Sequence, residues 1–229
     1  MKPTIIVPTL NEGNYIGKCL ASLRQQTVRS EIIVVDSGST DKTIEIARQT
    51  ADKVIVTQLK NIPANRQKGV EEAKGSIVVS TDADCVHPSD WLERMLSHFN
   101  DEKVVVVSGP TIPIRKEAVF LDKACYFIGN VFVWAVHKLG VVWFRGSNSA
   151  YRKDAVLKAG GYDVQLPARE DSDLSTRVAK LGRTVFDPKI IVMTSMRRRR
   201  SMGWVRTIRY YLDTPIALAT RKVYYKKVG

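Results

Sequence analysis

The feature that most constrains this chain is the alternation, over its first hundred residues, of short β-branched runs with amphipathic helical segments. Apart from polar residues at their ends, the runs Thr4–Val7, Glu31–Val35, Lys53–Val56, Ser76–Ser80 and Val104–Ser108 are continuously apolar rather than apolar on every second residue. Strands buried on both faces have this composition, so the pattern predicts a mainly parallel sheet with helices on each side. Between the first two runs, Ile16, Cys19, Leu20 and Leu23 recur at i, i+3, i+4 and i+7, which aligns them on one helical face against the sheet. Ser39 or Thr40 is expected to cap a helix beginning near Asp41, and another helix is expected around 91–99 after Ser89.

After Pro113 the period changes. A long apolar helix is expected over roughly 118–139, then an apolar strand Val141–Phe144, a turn at Gly146-Ser147-Asn148, and a short helix after Arg152. The acidic segment Arg169–Asp173 opens a further helix running to about Leu181. A basic run, Arg197–Arg200, leads into a basic and aromatic helical tail through Trp204, Tyr210 and Tyr211. The domain reading is therefore one α/β domain over 1–195, with a nucleotide-binding half (1–110) and an acceptor half (111–195), followed by a tail over 196–229. The 229 residues, 44% of them hydrophobic, suffice for one large core.

In an open α/β sheet, ligands bind beyond the carboxyl ends of the strands. Pro8–Glu12, Asp36–Asp41 and Thr81–Cys85 are thereby expected to meet in one crevice. Asp82 and Asp84 flank the small residue Ala83 directly after an apolar strand, which lets two carboxylates face one divalent cation; hard oxygen ligands suit Mg²⁺ or Mn²⁺. Asp36 ends its strand before Ser37-Gly38-Ser39-Thr40-Asp41, where a carboxylate can accept from a nucleobase or ribose and glycine permits close backbone approach. A strand end followed by a helix cap accounts for Asp36 equally well, an exposed helical position for Arg66, and a carboxylate favoured by the macrodipole for Glu12.

In this order and spacing, the segments Ile5–Glu12, Val34–Asp41 and Thr81–Asp84, with Asn65-Arg66 and Gly69 before the last, resemble the nucleotide-binding half of family 2 inverting glycosyltransferases. The resemblance implies the GT-A fold, a UDP-, GDP- or dTDP-linked sugar donor and a divalent metal. It implies that Pro8, Thr9 and Glu12 line the base and ribose pocket, that Asp36 contacts the base, and that Arg66 lies near base or diphosphate. Asp82 and Ala83 then belong to the donor site, with Asp82 reaching ribose or metal and Asp84 the principal metal ligand. Gly146–Arg152 followed by Gly160–Asp163 resembles the acceptor side, giving Gly146, Ser147, Asn148 and Glu170 acceptor-side roles, and Asp171 becomes the general base. An attacking hydroxyl must lose its proton, so chemistry requires such a group. Two departures stand out. The three histidines, His87, His98 and His137, all precede the region from which many relatives supply a metal ligand, and Trp204 follows Gly203 rather than arginine, which argues against processive synthesis.

Lysine and arginine number 36 against 23 acidic residues, a net charge of +13, which favours anionic partners. Arg197 and Arg200 with Trp204 are candidates for diphosphate or lipid contacts. With the apolar stretch Phe127–Val136 they suggest peripheral contact with a membrane and a lipid-linked or glycan acceptor; a buried helix or a homodimer interface is the competing reading of that stretch. Three widely spaced cysteines give neither a disulfide framework nor a zinc site. With no apolar run of the roughly 18–20 residues a span needs, and no signal-peptide pattern at the start, a cytoplasmic setting is expected. A nucleotidyltransferase is the main alternative enzyme, but Pro8–Glu12 has no glycine-rich basic phosphate loop. A noncatalytic membrane or nucleic-acid binder would explain the charge and leave the acidic strand-end motifs without a role, so nucleic acid is not expected as a partner.

Overall fold

A computed structural model describes residues 2–166, 168–197 and 199–203. In chain order the elements are β1 (Thr4–Thr9), α1 (Ile16–Arg24), β2 (Glu31–Asp36), α2 (Thr43–Thr50), β3 (Lys53–Val56), α3 (Ile62–Glu72), β4 (Ile77–Ser80), β5 (Cys85–Val86), α4 (Trp91–Ser97), β6 (Val104–Ser108) and β7 (Thr111–Pro113). They continue with α5 (Phe120–Lys138), β8 (Ser149–Arg152), α6 (Lys153–Lys158), α7 (Glu170–Val178), β9 (Arg183–Phe186) and β10 (Val192–Thr194).

Seven strands form the main sheet in the order β3-β2-β1-β4-β8-β6-β9, and β5-β10-β7 form a small second sheet. The main sheet is parallel except at β8, which runs antiparallel to both its neighbours, β4 and β6. Two cores flank it, as expected for strands without a polar face. Ile5 and Val7 of β1, with Ile77 and Val79 of β4, join Ile16, Cys19, Leu20 and Leu23 of α1 on one side; Ile6 and Val78 join Val70, Val156 and Leu174 on the other. The alternation follows from the two-residue period of a strand. Helix α3 starts at Asn61, whose side chain accepts from the Ala64 amide, with Pro63 in the first turn.

Two local expectations, and one competing reading, are corrected. Neither Ser39 nor Thr40 caps α2: the Asp41 carboxylate accepts from the Thr43 amide, while Ser39 turns its hydroxyl to Asp36. Residues 141–145 form no strand. Val142 and Phe144 are buried, but their backbone groups are satisfied by α7, where Thr176 Oγ1 donates to the Val142 carbonyl at 2.8 Å and the Phe144 amide donates to Ser175 Oγ at 3.1 Å. Hydroxyls on a helix thus replace a neighbouring strand. Arg66 is not an exposed helical arginine; it is 4% exposed. The expected tail beyond residue 203, including Trp204, Tyr210 and Tyr211, lies outside the described residues.

Candidate active site

Strands β1, β2 and β4 end side by side, and their loops are tied together. Thr9 pairs with Asp36 in the β1–β2 register, and Thr9 Oγ1 donates to Asp36 Oδ2 at 2.8 Å. Asp36 also accepts from the Gly38 and Ser39 amides and from Ser39 Oγ, at 2.9, 2.7 and 2.6 Å. Four bonds use the lone pairs of a carboxylate that is wholly buried. Asp36 therefore acts first on its own loop, whose turn needs the positive φ of Gly38. The β1 loop is fastened to it: the Asn11 amide donates to Ser39 Oγ, the Thr40 amide to Asn11 Oδ1, the Glu12 amide to Thr43 Oγ1 and the Gly13 amide to Asp41 Oδ2.

Asp82-Ala83-Asp84 follows β4 and leads into β5. The ligand atoms of Asp82, Asp84 and Cys85 lie within 4.8 Å of one another. Burial and the two aspartates push the Cys85 thiol well above its ordinary range. It stays a neutral thiol, so the donor set is the carboxylate pair, which fits a hard divalent cation. Glu12 adds to this: its Oε1 pairs with Arg197, while its Oε2 is buried with no hydrogen-bond partner among the described residues. Burial also raises the Glu12 carboxyl above the usual range, against the pull of Arg197.

Two arginines balance these carboxylates. Arg197 lies between Glu12 and Asp84, with Nε 3.1 Å from Asp84 Oδ2, and its guanidinium stacks 4.7 Å from the Tyr15 ring. Arg66 is the second. Its Nη2 donates to Asp82 Oδ1 at 2.6 Å, its Nη1 to Ser80 Oγ and, at 3.2 Å, to the Gly146 carbonyl, and its Nε to Glu170 Oε1 at 3.3 Å. Although burial opposes the charge, Asp82 and Glu170 hold the guanidinium firmly protonated.

The far side of Arg66 is the start of α7. Asp171 is half-buried there; its Oδ2 accepts from the Gly146 amide at 2.6 Å and its Oδ1 from the Ser172 amide at 2.8 Å. Glu170 is buried beside it. Burial and Asp171 together push the Glu170 carboxyl up to about 7, outweighing Arg66, which sits nearer Asp82. Asp173 is taken by Arg177, with Nη2 at 2.6 Å.

The remaining residues expected at the acceptor side or at diphosphate and lipid divide. Asn148 is completely buried and committed to the frame: its amide donates to the Pro110 and Ile190 carbonyls at 2.9 and 2.8 Å and its oxygen accepts from Trp91 Nε1 at 2.9 Å. Ser147 offers its carbonyl to Thr81 Oγ1 at 3.0 Å, while Arg200 donates to the Glu117 carbonyl beside α5. Sequence reading overlooked His87. It is buried between Ser22 Oγ (3.1 Å) and Thr81 Oγ1 (2.8 Å), and burial drives its pKa down to about 3. It braces the acidic turn from behind, and no spacing in the sequence links it to Ser22.

A mainly parallel sheet with one reversed strand, closed at its carboxyl edge by an acidic Asp-Ala-Asp turn, is the GT-A architecture of nucleotide-sugar glycosyltransferases. The chain belongs to glycosyl transferase family 2, whose family description matches residues 4–159. Among solved structures, a mannosyltransferase from Pyrobaculum calidifontis, in complex with GDP-Man and Mn²⁺, superposes with a TM-score of 0.74 over 98% of this chain and 66% of its own, at 23% identity. TarS of S. aureus (residues 1–349) with UDP-GlcNAc gives a TM-score of 0.69 over 99% of this chain and 68% of its own, at 17% identity. Among curated relatives, the glycosyltransferase AglE of Haloferax volcanii is 36% identical over 46% of this chain and 38% of its own length. The probable glycosyltransferase YdaM of Bacillus subtilis is 28% identical over 91% of this chain and 54% of its own. The chain thus spans about half the length of such relatives or less.

Proposed function

We propose that this chain transfers a sugar, with inversion at the anomeric carbon, from a nucleoside-diphosphate sugar to a hydroxyl or phosphate oxygen of a glycan or lipid-linked acceptor. One observation carries the reading. The buried Arg66 joins the acidic turn after β4 to the first turn of α7, so that the carboxylates suited to a cation at the donor diphosphate and the carboxylate suited to take a proton share one edge of the sheet.

In this reading the zipped loops at 8–12 and 36–41 receive the base and ribose. Pro8, Thr9 and Glu12 line that pocket, and Asp36 shapes the backbone that meets the base. Asp84, with Asp82, would hold Mg²⁺ or Mn²⁺, which when bound neutralises the charge developing on the departing diphosphate. Arg197 exchanges its carboxylate partners for diphosphate oxygens, a role suited to a guanidinium fork. On the opposite side of the sugar, Asp171 accepts the proton of the attacking hydroxyl, its oxygens oriented by the Gly146 and Ser172 amides. A single displacement from that side inverts the anomeric configuration.

The test is thermal stabilisation by UDP, GDP and dTDP, each with and without Mn²⁺, in wild type and Asp84→Ala. A ligand at about 100 times its Kd stabilises by about 2.7 kcal/mol, a rise of about 5–10 °C for a chain of this size. A rise with one nucleotide that needs Mn²⁺ and vanishes in the variant is expected. No shift with any nucleotide would remove the donor site and the proposal with it.

A further inference from the structure

Helix α5 is turned inside out. Apart from the lysines near its ends, its polar residues point inward: Asp122 is buried and paired with Arg199 Nε at 2.7 Å, Asn130 Nδ2 donates to the Thr111 carbonyl at 2.9 Å, and His137 Nε2 lies 2.9 Å from Thr184 Oγ1. Its large apolar residues point outward. Phe120 is 85% exposed, Phe127 70%, Ile128 65% and Leu139 82%, with Phe132 and Trp134 also exposed between them. A surface helix in water normally has the reverse arrangement, and a contiguous apolar face of this kind marks an interaction site.

Charge identifies what covers it. Arg115, Lys116 and Lys123 are exposed near one end of α5 and Lys138 at the other. The two acids in this stretch are occupied: Asp122 is buried, and the Glu117 carboxylate accepts from Ser195 Oγ and the Met196 amide. Among the described residues of this stretch, the apolar face is thus bordered by exposed cations and by no free acid. A second copy is a poor occupant, because antiparallel pairing about the middle of the helix brings Lys123 within about one helical turn of Lys138, and parallel pairing sets each lysine against itself. An anionic bilayer surface complements both the aromatic face and its basic ends. No helix among the described residues is long and apolar enough to cross a membrane.

We propose that α5 is an interfacial helix that lies in the headgroup region of an anionic membrane. Its inner side holds the acceptor edge of the site: Arg145 Nη1 donates to Asn130 at 3.2 Å, and Gly146 beside it holds Asp171. If the transfer proposed above is correct, a lipid-linked acceptor reaches Asp171 from the bilayer; the binding of α5 to lipid does not depend on that reading.

Vesicle cosedimentation tests it, with phosphatidylglycerol/phosphatidylcholine and pure phosphatidylcholine vesicles, on wild type and Phe127→Glu/Ile128→Glu. Both replaced residues are exposed, so the variant keeps the wild-type melting temperature and nucleotide response. Wild type is expected to bind anionic vesicles at least tenfold tighter than the variant and tighter than neutral vesicles, less so at high salt, with a blue shift of tryptophan emission. Four results would each overturn the proposal: wild type left in the supernatant, equal binding to neutral vesicles, undiminished binding by the variant, or a dimer that the variant dissociates without change in vesicle binding. The nucleotide response is measured in parallel, so loss of the membrane role and loss of the donor site are read separately.

Discussion

Replacing Glu170 by glutamine tests the electrostatics of the site without touching its shape. Glu170 is buried, its carboxyl raised from 4.5 to about 7 by burial and by Asp171, with Arg66 drawn toward Asp82. A group whose folded pKa lies above its unfolded value adds stability that is complete below the unfolded value and is lost as pH rises through the folded one. The window here is therefore pH 4.5 to 7. Between pH 5 and pH 8 the linkage relation gives a loss of about 2–3 kcal/mol from this one carboxyl. Glutamine has no proton to lose, so the stability of Glu170→Gln minus that of wild type should rise by about 2–3 kcal/mol over that range. For a chain of this size that is a relative gain of about 5–10 °C in melting temperature. Urea unfolding at matched ionic strength, from pH 5 to pH 8, measures the difference, in which carboxylates remote from Glu170 cancel between the two proteins. A difference that stays flat within about 0.5 kcal/mol, or that falls with pH, would mean that Arg66 keeps Glu170 ionised and that the balance of charges described above is wrong.

Asp171→Asn should lower the single-turnover rate by about 10²–10⁴ while the nucleotide-induced thermal shift stays at the wild-type value; loss of both would indicate a structural defect instead. In Gly146→Ala the new Cβ would lie 2.8 Å from Arg66 Cζ and Nη2, displacing the guanidinium, so kcat/KM should fall by about 10²-fold in a protein that still folds cooperatively by circular dichroism. Asn148→Ala leaves Trp91 Nε1 and the Pro110 and Ile190 carbonyls without their partner and should cost about 3 kcal/mol or more in urea unfolding; a cost under about 1 kcal/mol would return Asn148 to the acceptor. Arg197→Gln removes the counter-ion of Asp84 and Glu12, so Mn²⁺ without nucleotide should bind about 3–10-fold tighter by calorimetry, whereas nucleotide should bind more weakly.

The N-terminal half of this molecule was legible because local sequence determines it. Runs such as Ile32–Val35 are buried whichever way they face, and the period of Ile16, Cys19, Leu20 and Leu23 leaves one orientation for α1. The C-terminal half depends on distant partners. Val141–Phe144 looks like a strand, yet its hydrogen bonds go to Ser175 and Thr176, more than thirty residues away. β8, Ser149–Arg152, has one aromatic and no β-branched residue, and becomes a strand because β4 and β6 offer free edges on either side. In the site, the acidic turn and α7 were visible as motifs, but the burial of Arg66 between them was not, since a helical arginine is ordinarily exposed. Arg197 was one of four identical residues, and only the fold, across 113 positions, selects it for Asp84.

The reversed strand β8 also bears on how such a chain diversifies. Everything between β7 and β8 leaves the structure at Pro113 and rejoins it at Ser149, and both ends are pinned by strand register, the first by β10 and the second by β4 and β6. Lengthening a closed excursion of this kind costs little, about 0.6 kcal/mol per doubling. Natural variation can therefore rewrite the exposed face of α5 and its N-terminal flank, altering what the protein docks against, while Phe144, Gly146 and Asn148, bound to α7, Arg66 and the buried frame, stay in place. The antiparallel strand works as an evolutionary seam.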